Sequence, residues 1–444
     1  MTPIEIALIS IVALFIFILL GVHIAFVLAL LSLIGAWFIT GNISTALSIL
    51  ATTSYEAVRD YVFAVVPLFV LMGCLMSNTG SAEDLFGFAN KFTRRIPAGM
   101  SIATIAANTI FAAVTGVSVA SAAVFSKVAL PEMIKLNYGK SFAVGTIAGS
   151  SVLGMLIPPS VLMIIYGMLA SVSIGKLFMA GVVPGLILAG IYSIGVVTMT
   201  MLWPEYTRAG SATKGASVKI SETRSRKEAL KTAIKPLPVV ALIILVLGGI
   251  WGGFFTPTEA SAIGALGALA IGIVKKTKIE DYRKSLLQTA SSTSAILFLM
   301  ISAQMYSRML TVSGVVNWLT SIAIAANLSS YSLLALFVIL WLFLGCIIDS
   351  TSILLLTMPL ILPIAEKLGF DLVWFGIVAI ITIEVGLLTP PFGMVIFAIK
   401  ATLGDLVTVQ EIVSGSVPFI LMMVLALLIV IAFPVVATWL PGLM

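Results

Sequence analysis

The sequence predicts an all-α polytopic membrane protein made of two inverted-topology repeats, each holding a re-entrant helical hairpin and a helix broken at a Pro-Pro pair. Three observations carry this: composition, the placement of positive charge, and a repeat at a fixed offset. Of 444 residues, 60% are hydrophobic and only 9% charged, with a mean hydropathy of +1.20. An ordinary soluble domain carries about 25% charged residues. Apolar runs of ~20 residues recur from end to end, each long enough at ~1.5 Å per residue to cross ~30 Å of hydrocarbon. The net charge of +6 does not indicate nucleic acid, because it is gathered into loops between apolar runs.

Taken in order, the first apolar run, 4–20, has no basic flank and leads into a second at 22–38. It is expected to stay as the first span rather than be cleaved as a signal peptide. The stretches 44–61 and 280–292 mix charged and apolar residues, as suits helices lying in the membrane interface. Most basic residues fall in a few places: Lys91, Arg94 and Arg95; Lys135 and Lys140; the stretch 214–235; Lys275, Lys276, Lys278, Arg283 and Lys284; and Lys400. The positive-inside rule puts these loops in the cytoplasm and both termini in the periplasm. With the polar linker 204–235 cytoplasmic, 236–254 runs outward, 260–274 returns and 289–307 runs outward again. The segments 101–131 and 331–363 then each begin and end on one side, yet ~30 residues cannot make two crossings of ~20 each. They read as re-entrant hairpins, the first entering from the cytoplasm and the second from the opposite side.

At an offset of 232 residues, which sets Gly154 on Gly386, "GMLIPPS" (154–160) lies over "GLLTPPF" (386–392) and the prolines coincide. At the same offset "PEMIKLNY" (131–138) lies over "PIAEKLGF" (363–370), and Ser118 over Ser350. With a two-residue adjustment "GVVP" (181–184) faces "GSVP" (415–418) and Gly80 faces Gly314. The chain thus divides into a first repeat, 1–203, with hairpin 101–131 and broken helix 140–170, and a second, 236–444, with hairpin 331–363 and broken helix 371–400. Hairpins entering from opposite sides make the repeats inverted, the mark of a secondary transporter.

Two successive prolines free several carbonyls from the helix ladder, and in hydrocarbon such groups are tolerated only where protein, water or an ion satisfies them. Sodium suits them: hard cations take oxygen ligands, and a broken helix beside a tip of small hydroxyl residues supplies these without formal charge. The first set is Thr115, Gly116, Ser118 and Ser121 with Ser150, Ser151 and Gly154; the second is Gly345, Asp349, Ser350, Thr351 and Ser352 with Gly386 and Thr389. Two or more sodium sites are therefore expected. The substrate pocket is expected between Ser118 and Ser350, bounded by Pro158, Pro159, Pro390 and Pro391. Neither tip holds a basic residue, so an anionic substrate would meet hydroxyls, backbone N–H groups and helix N-termini.

Asp349, an acid at membrane depth, is assigned a cation-proximal role. Glu384 is open between structural partner, proton site and a group supporting the ion ligands. Glu259, after Thr256 and Pro257, reads as a helix-start carboxylate. Arg308, at the outer end of a span, reads as a snorkelling residue, with substrate or partner contact as the lesser reading. Cys74 and Cys346 lie in apolar runs and His23 stands alone. No metal cluster or nucleophile and base stand at catalytic spacing, so neither an enzyme nor an organic cofactor is expected.

The stretches "VPLFVLMG" (66–73), "AAVTGVSVASAAVFSKVALPEM" (112–133), "GSSVLGMLIPPSVLMIIYG" (149–167), "FTPTEASAIGA" (255–265) and "LLTPPFGMVIF" (387–397) resemble the large membrane (M) subunit of tripartite ATP-independent periplasmic (TRAP) transporters. By that analogy the chain would sit in the bacterial inner membrane with a small membrane subunit of about four helices and a periplasmic substrate-binding protein. The resemblance implies sodium-driven uptake of a small carboxylate such as a C4-dicarboxylate or a sialic acid. It also implies an elevator-type architecture, in which the hairpin-bearing part slides against a scaffold. The alternative is a stand-alone sodium/anion or proton-coupled symporter that needs no binding protein.

Overall fold

A computed structural model of the chain describes residues 1–93, 95–208, 234–325 and 329–444. Among the described residues all regular structure is helical, apart from an isolated antiparallel bridge between Tyr138 and Arg208. Six helices among the described residues are long and apolar enough to cross a membrane, and the protein is a multi-pass membrane protein. The expected linker 204–235 lies outside the described residues over 209–233. Its start, Pro204–Thr207, is a helical turn whose Thr207 carbonyl accepts from the Gly139 N–H at 3.0 Å.

Both hairpins form. The first pairs Gly99–Thr115 with Ser118–Lys135, turning at Gly116 and Val117. The second pairs Ser330–Gly345 with Ser350–Lys367. Both helices break where the prolines stand. Lys140–Ser151 and the turn Leu153–Leu156 are followed, after Pro158 and Pro159, by Val161–Leu169. Leu372–Leu388 gives way, after Pro390 and Pro391, to Met394–Leu403. Both Pro-Pro bonds are cis. Gly80 and Gly314 each join two helices with positive φ, and Pro184 and Pro418 lie inside Ile174–Leu202 and Val409–Ala432.

The stretch 280–292 is not a separate interfacial helix. It is the start of one continuous helix, Ile279–Ser313, of 35 residues. At ~1.5 Å per residue this runs ~52 Å, so its charged start can project past an apolar layer of ~30 Å without a bend. The stretch 44–61 is a helix, Ile43–Arg59, which meets the following helical segment Tyr61–Ser77 at a 58° bend. Helix starts follow local chemistry: Thr256 and Glu259 form a capping box, the Thr256 N–H donating to Glu259 Oε2 at 2.8 Å. Glu259 is thus the helix-start carboxylate its context indicates.

Packing crosses the sequence midpoint. The return arm of each hairpin lies against the helix that follows the other half's break: Ser118–Lys135 against Met394–Leu403, and Ser350–Lys367 against Val161–Leu169. Lys140–Ser151 packs along Val409–Ala432. There Ser141, Gly145 and Gly149 form a small-residue stripe: a Cβ on Gly415 would collide with the Ser141 carbonyl, one on Gly145 with the Gly415 carbonyl, and one on Gly149 would lie 2.5 Å from Phe419. Small residues at four-residue spacing let two backbones meet in this way. Charged groups from separate loops also gather. Asp84 pairs with Lys275 at 2.6 Å and Lys235 at 3.7 Å, which brings the end of the linker close to the start of the 275–278 loop.

Candidate functional site

The two tips converge on one side chain. Ser118 and Ser350 are the first residues of the two return arms. Ser118 Oγ donates to Glu384 Oε2 at 2.6 Å and Ser350 Oγ donates to Glu384 Oε1 at 2.8 Å. Glu384 is fully buried, as is Ser118, and Ser350 nearly so. Among the described residues no Lys, Arg or His forms an ion pair with Glu384. The carboxyl group is held by the two hydroxyls and lies at the helix N-termini that begin at these serines.

Around the first tip, Thr115 and Ser121 share a hydrogen bond at 3.1 Å. Gly116 has φ +62°, and a Cβ there would lie 2.5 Å from the Pro159 carbonyl oxygen, so tip and break touch through backbone. The Val161 N–H donates to the Gly116 carbonyl at 3.4 Å. A Cβ on Gly154 would lie 3.2 Å from the Val117 carbonyl carbon, and one on Gly73 2.8 Å from the Thr115 oxygen. Ser150 and Ser151 bond back to the carbonyls of Ile147 and Ala148. Ser150 Oγ also accepts from Asn108 Nδ2 at 3.0 Å. Asn108 Oδ1 is buried with no partner. Asn108 was not singled out from the sequence, although an amide inside an apolar hairpin arm is itself a signal.

The second tip repeats the backbone pattern with different side chains. The Phe392 N–H donates to the Cys346 carbonyl at 3.2 Å, and a Cβ on Gly345 would lie 2.6 Å from Gly386 Cα. Asp349 is the N-cap of the return arm: Oδ1 accepts from the Ser352 N–H at 3.0 Å, and the Ser352 hydroxyl bonds to Oδ2. Thr351 is half-buried. Thr389 bonds back to the Val385 carbonyl at 2.8 Å. The breaks differ in surroundings: Pro158 and Pro159 are buried, whereas Pro390, Pro391 and Phe392 are exposed. Arg308 is exposed on Ile279–Ser313 and makes none of the hydrogen bonds at either tip.

The arrangement is two small polar tips, two interrupted helices and one shared buried carboxyl group. Among the described residues no cluster of His, Cys, Asp and Glu could hold a metal ion. Comparison with known proteins agrees with a transport assembly. The "C4-dicarboxylate TRAP transporter large permease protein DctM" of Pseudomonas aeruginosa is 31% identical over 395 residues, covering 88% of this chain and 89% of that one. The "Sialic acid TRAP transporter large permease protein SiaM" of Vibrio cholerae is 30% identical over 425 residues, covering 95% of each. The solved YdaH transporter of Alcanivorax borkumensis shares the fold, with a TM-score of 0.61 at 16% identity over 88% of this chain and 90% of that one. The model of the family described as "Tripartite ATP-independent periplasmic transporter, DctM component" matches residues 11–436, and the chain belongs to that family.

Proposed function

We propose that this chain is the large permease of a sodium-driven uptake system for a small carboxylate, of the C4-dicarboxylate or sialic acid kind named for its relatives. The solute is handed over by a periplasmic binding protein, and the chain works with a small membrane subunit in the bacterial inner membrane, with the linker cytoplasmic and both termini periplasmic. The observation that carries this reading is the meeting of two hairpin tips at Glu384, each tip in backbone contact with a broken helix.

Sodium takes carbonyl and hydroxyl oxygens at the two tip-and-break regions, Thr115 to Ser121 with Ser150 to Gly154, and Gly345 to Ser352 with Gly386 and Thr389. By doing so it orders both tips and completes the substrate pocket between Ser118 and Ser350. The two helix starts are not equivalent. The Ser350 arm is capped by Asp349, whereas the Ser118 arm has no side-chain cap. Its first-turn N–H groups are therefore the better seat for a substrate carboxylate. Hydroxyls rotate freely, so Ser118 can turn from Glu384 to an incoming anion. The reciprocal packing of arms and breaks supports two halves of opposite topology whose hairpins travel together, as an elevator requires.

The test is uptake into proteoliposomes holding this chain and its small subunit, under an inward sodium gradient, with labelled succinate or sialic acid and with or without the binding protein. Uptake is expected only when sodium and binding protein are both present. Uptake of free solute without the protein would make the chain a stand-alone symporter, and flux driven by pH alone would overturn sodium coupling.

A further inference from the structure

We propose that Glu384 is a positioning residue that clasps the two hairpin tips, so that opening at one is felt at the other. Its two carboxylate oxygens serve different hairpins, reached across sequence separations of 266 and 34 residues. The carboxylate is held in place from behind. From Trp374 to Leu388 its helix is buried on every side, and the backbone contact of Gly345 with Gly386 fixes the spacing between the second hairpin and that helix. The position related to Glu384 by the 232-residue offset is Val152, so one carboxylate serves both halves.

The coupling follows from where the carboxyl group is buried. While both serines donate, every oxygen of the buried carboxylate has a partner. If one tip leaves, an oxygen is left unsatisfied in an apolar surround, which costs more than the bond was worth. Water drawn in to satisfy it then competes with the remaining hydroxyl and weakens that bond. Departure of one tip therefore favours departure of the other. The proposal rests on the transport reading only in taking the hairpins as movable.

The chain carries its own reporter. Cys346 is half-buried in the second tip, and the other thiol, Cys74, is buried elsewhere. In full-length Cys74→Ala protein reconstituted in liposomes, the rate of Cys346 modification by N-ethylmaleimide is followed by mass spectrometry. Ser118→Ala, on the opposite hairpin, is expected to raise that rate by about twofold or more, the low end of coupling between residues of one network. Glu384→Leu, which has no group to meet either serine, is expected to raise it similarly, and the double variant no further. Ser118→Thr, which keeps the hydroxyl, is expected to restore the parent rate. Glu384→Asp, too short to reach both serines, carries the same expectation as the Leu variant and stands in if that one does not fold. A rate unmoved by Ser118→Ala, or effects that add in the double variant, would overturn the clasp. Because labelling needs neither substrate, binding protein nor gradient, its failure is separate from failure of the uptake experiment.

Discussion

Gly116 holds the first tip in a backbone conformation that side chains resist, with no room for a Cβ before the Pro159 carbonyl. Alanine there combines the left-handed penalty with overpacking against backbone, together about 2–5 kcal/mol. Gly116→Ala is therefore expected to lower the thermal midpoint of the purified protein and to reduce uptake. Gly87→Ala is the control: it lies within Ser81–Thr93 with nothing close to its Cβ position, and is expected to be neutral or slightly stabilising. At this scale the sequence showed which residue types gather at the tips but not their partners. Ser118 and Ser350 were legible because the offset superimposes them. That both bond to Glu384 was not, since Glu384 has no counterpart in the other half and one acid in an apolar run has many possible neighbours. Asp349 in "DSTS" carried a second signal, an N-cap three residues before a helical Ser352, and the structure spends its carboxylate on that cap.

The turns and the breaks were legible as elements because proline interrupts a helix whatever surrounds it, whereas the paired helices, 99–135 and 330–367, are longer than the segments expected of them. Amphipathic character is a weaker guide. The stretch 280–292 has the polarity of an interfacial helix, yet 279–313 holds neither Gly nor Pro, and the helix runs through. Contacts between elements were not legible, because the small-residue stripe of Ser141, Gly145 and Gly149 meets its partner far away in sequence. Gly415→Ala tests that contact. Its Cβ would fall on the Ser141 carbonyl, so Lys140–Ser151 and Val409–Ala432 must separate, at a cost of about 3 kcal/mol or more. A clear drop in thermal midpoint in detergent is expected, with Gly190→Ala, open on its helix, unchanged.

At the scale of the whole molecule the offset predicts two halves, and the structure shows the two sides of the midpoint interlocking, each return arm resting on the helix that follows the other break. A break in the linker should therefore leave one particle. Fragments 1–208 and 234–444 expressed together are expected to co-purify through a tag on either one; recovery of the tagged fragment alone would show that the covalent linker, not the interlock, holds the halves together. The same interlock sets a condition on how the protein is made. The partner of Gly145 is Gly415, roughly 270 residues further along the chain, and at ~5–20 residues per second it leaves the ribosome roughly 15–50 s later. Through that interval the glycine stripe of Lys140–Ser151 sits in the bilayer with lipid or an insertion factor against it, so the first half must tolerate waiting, and assembly is completed only when the last long helix arrives.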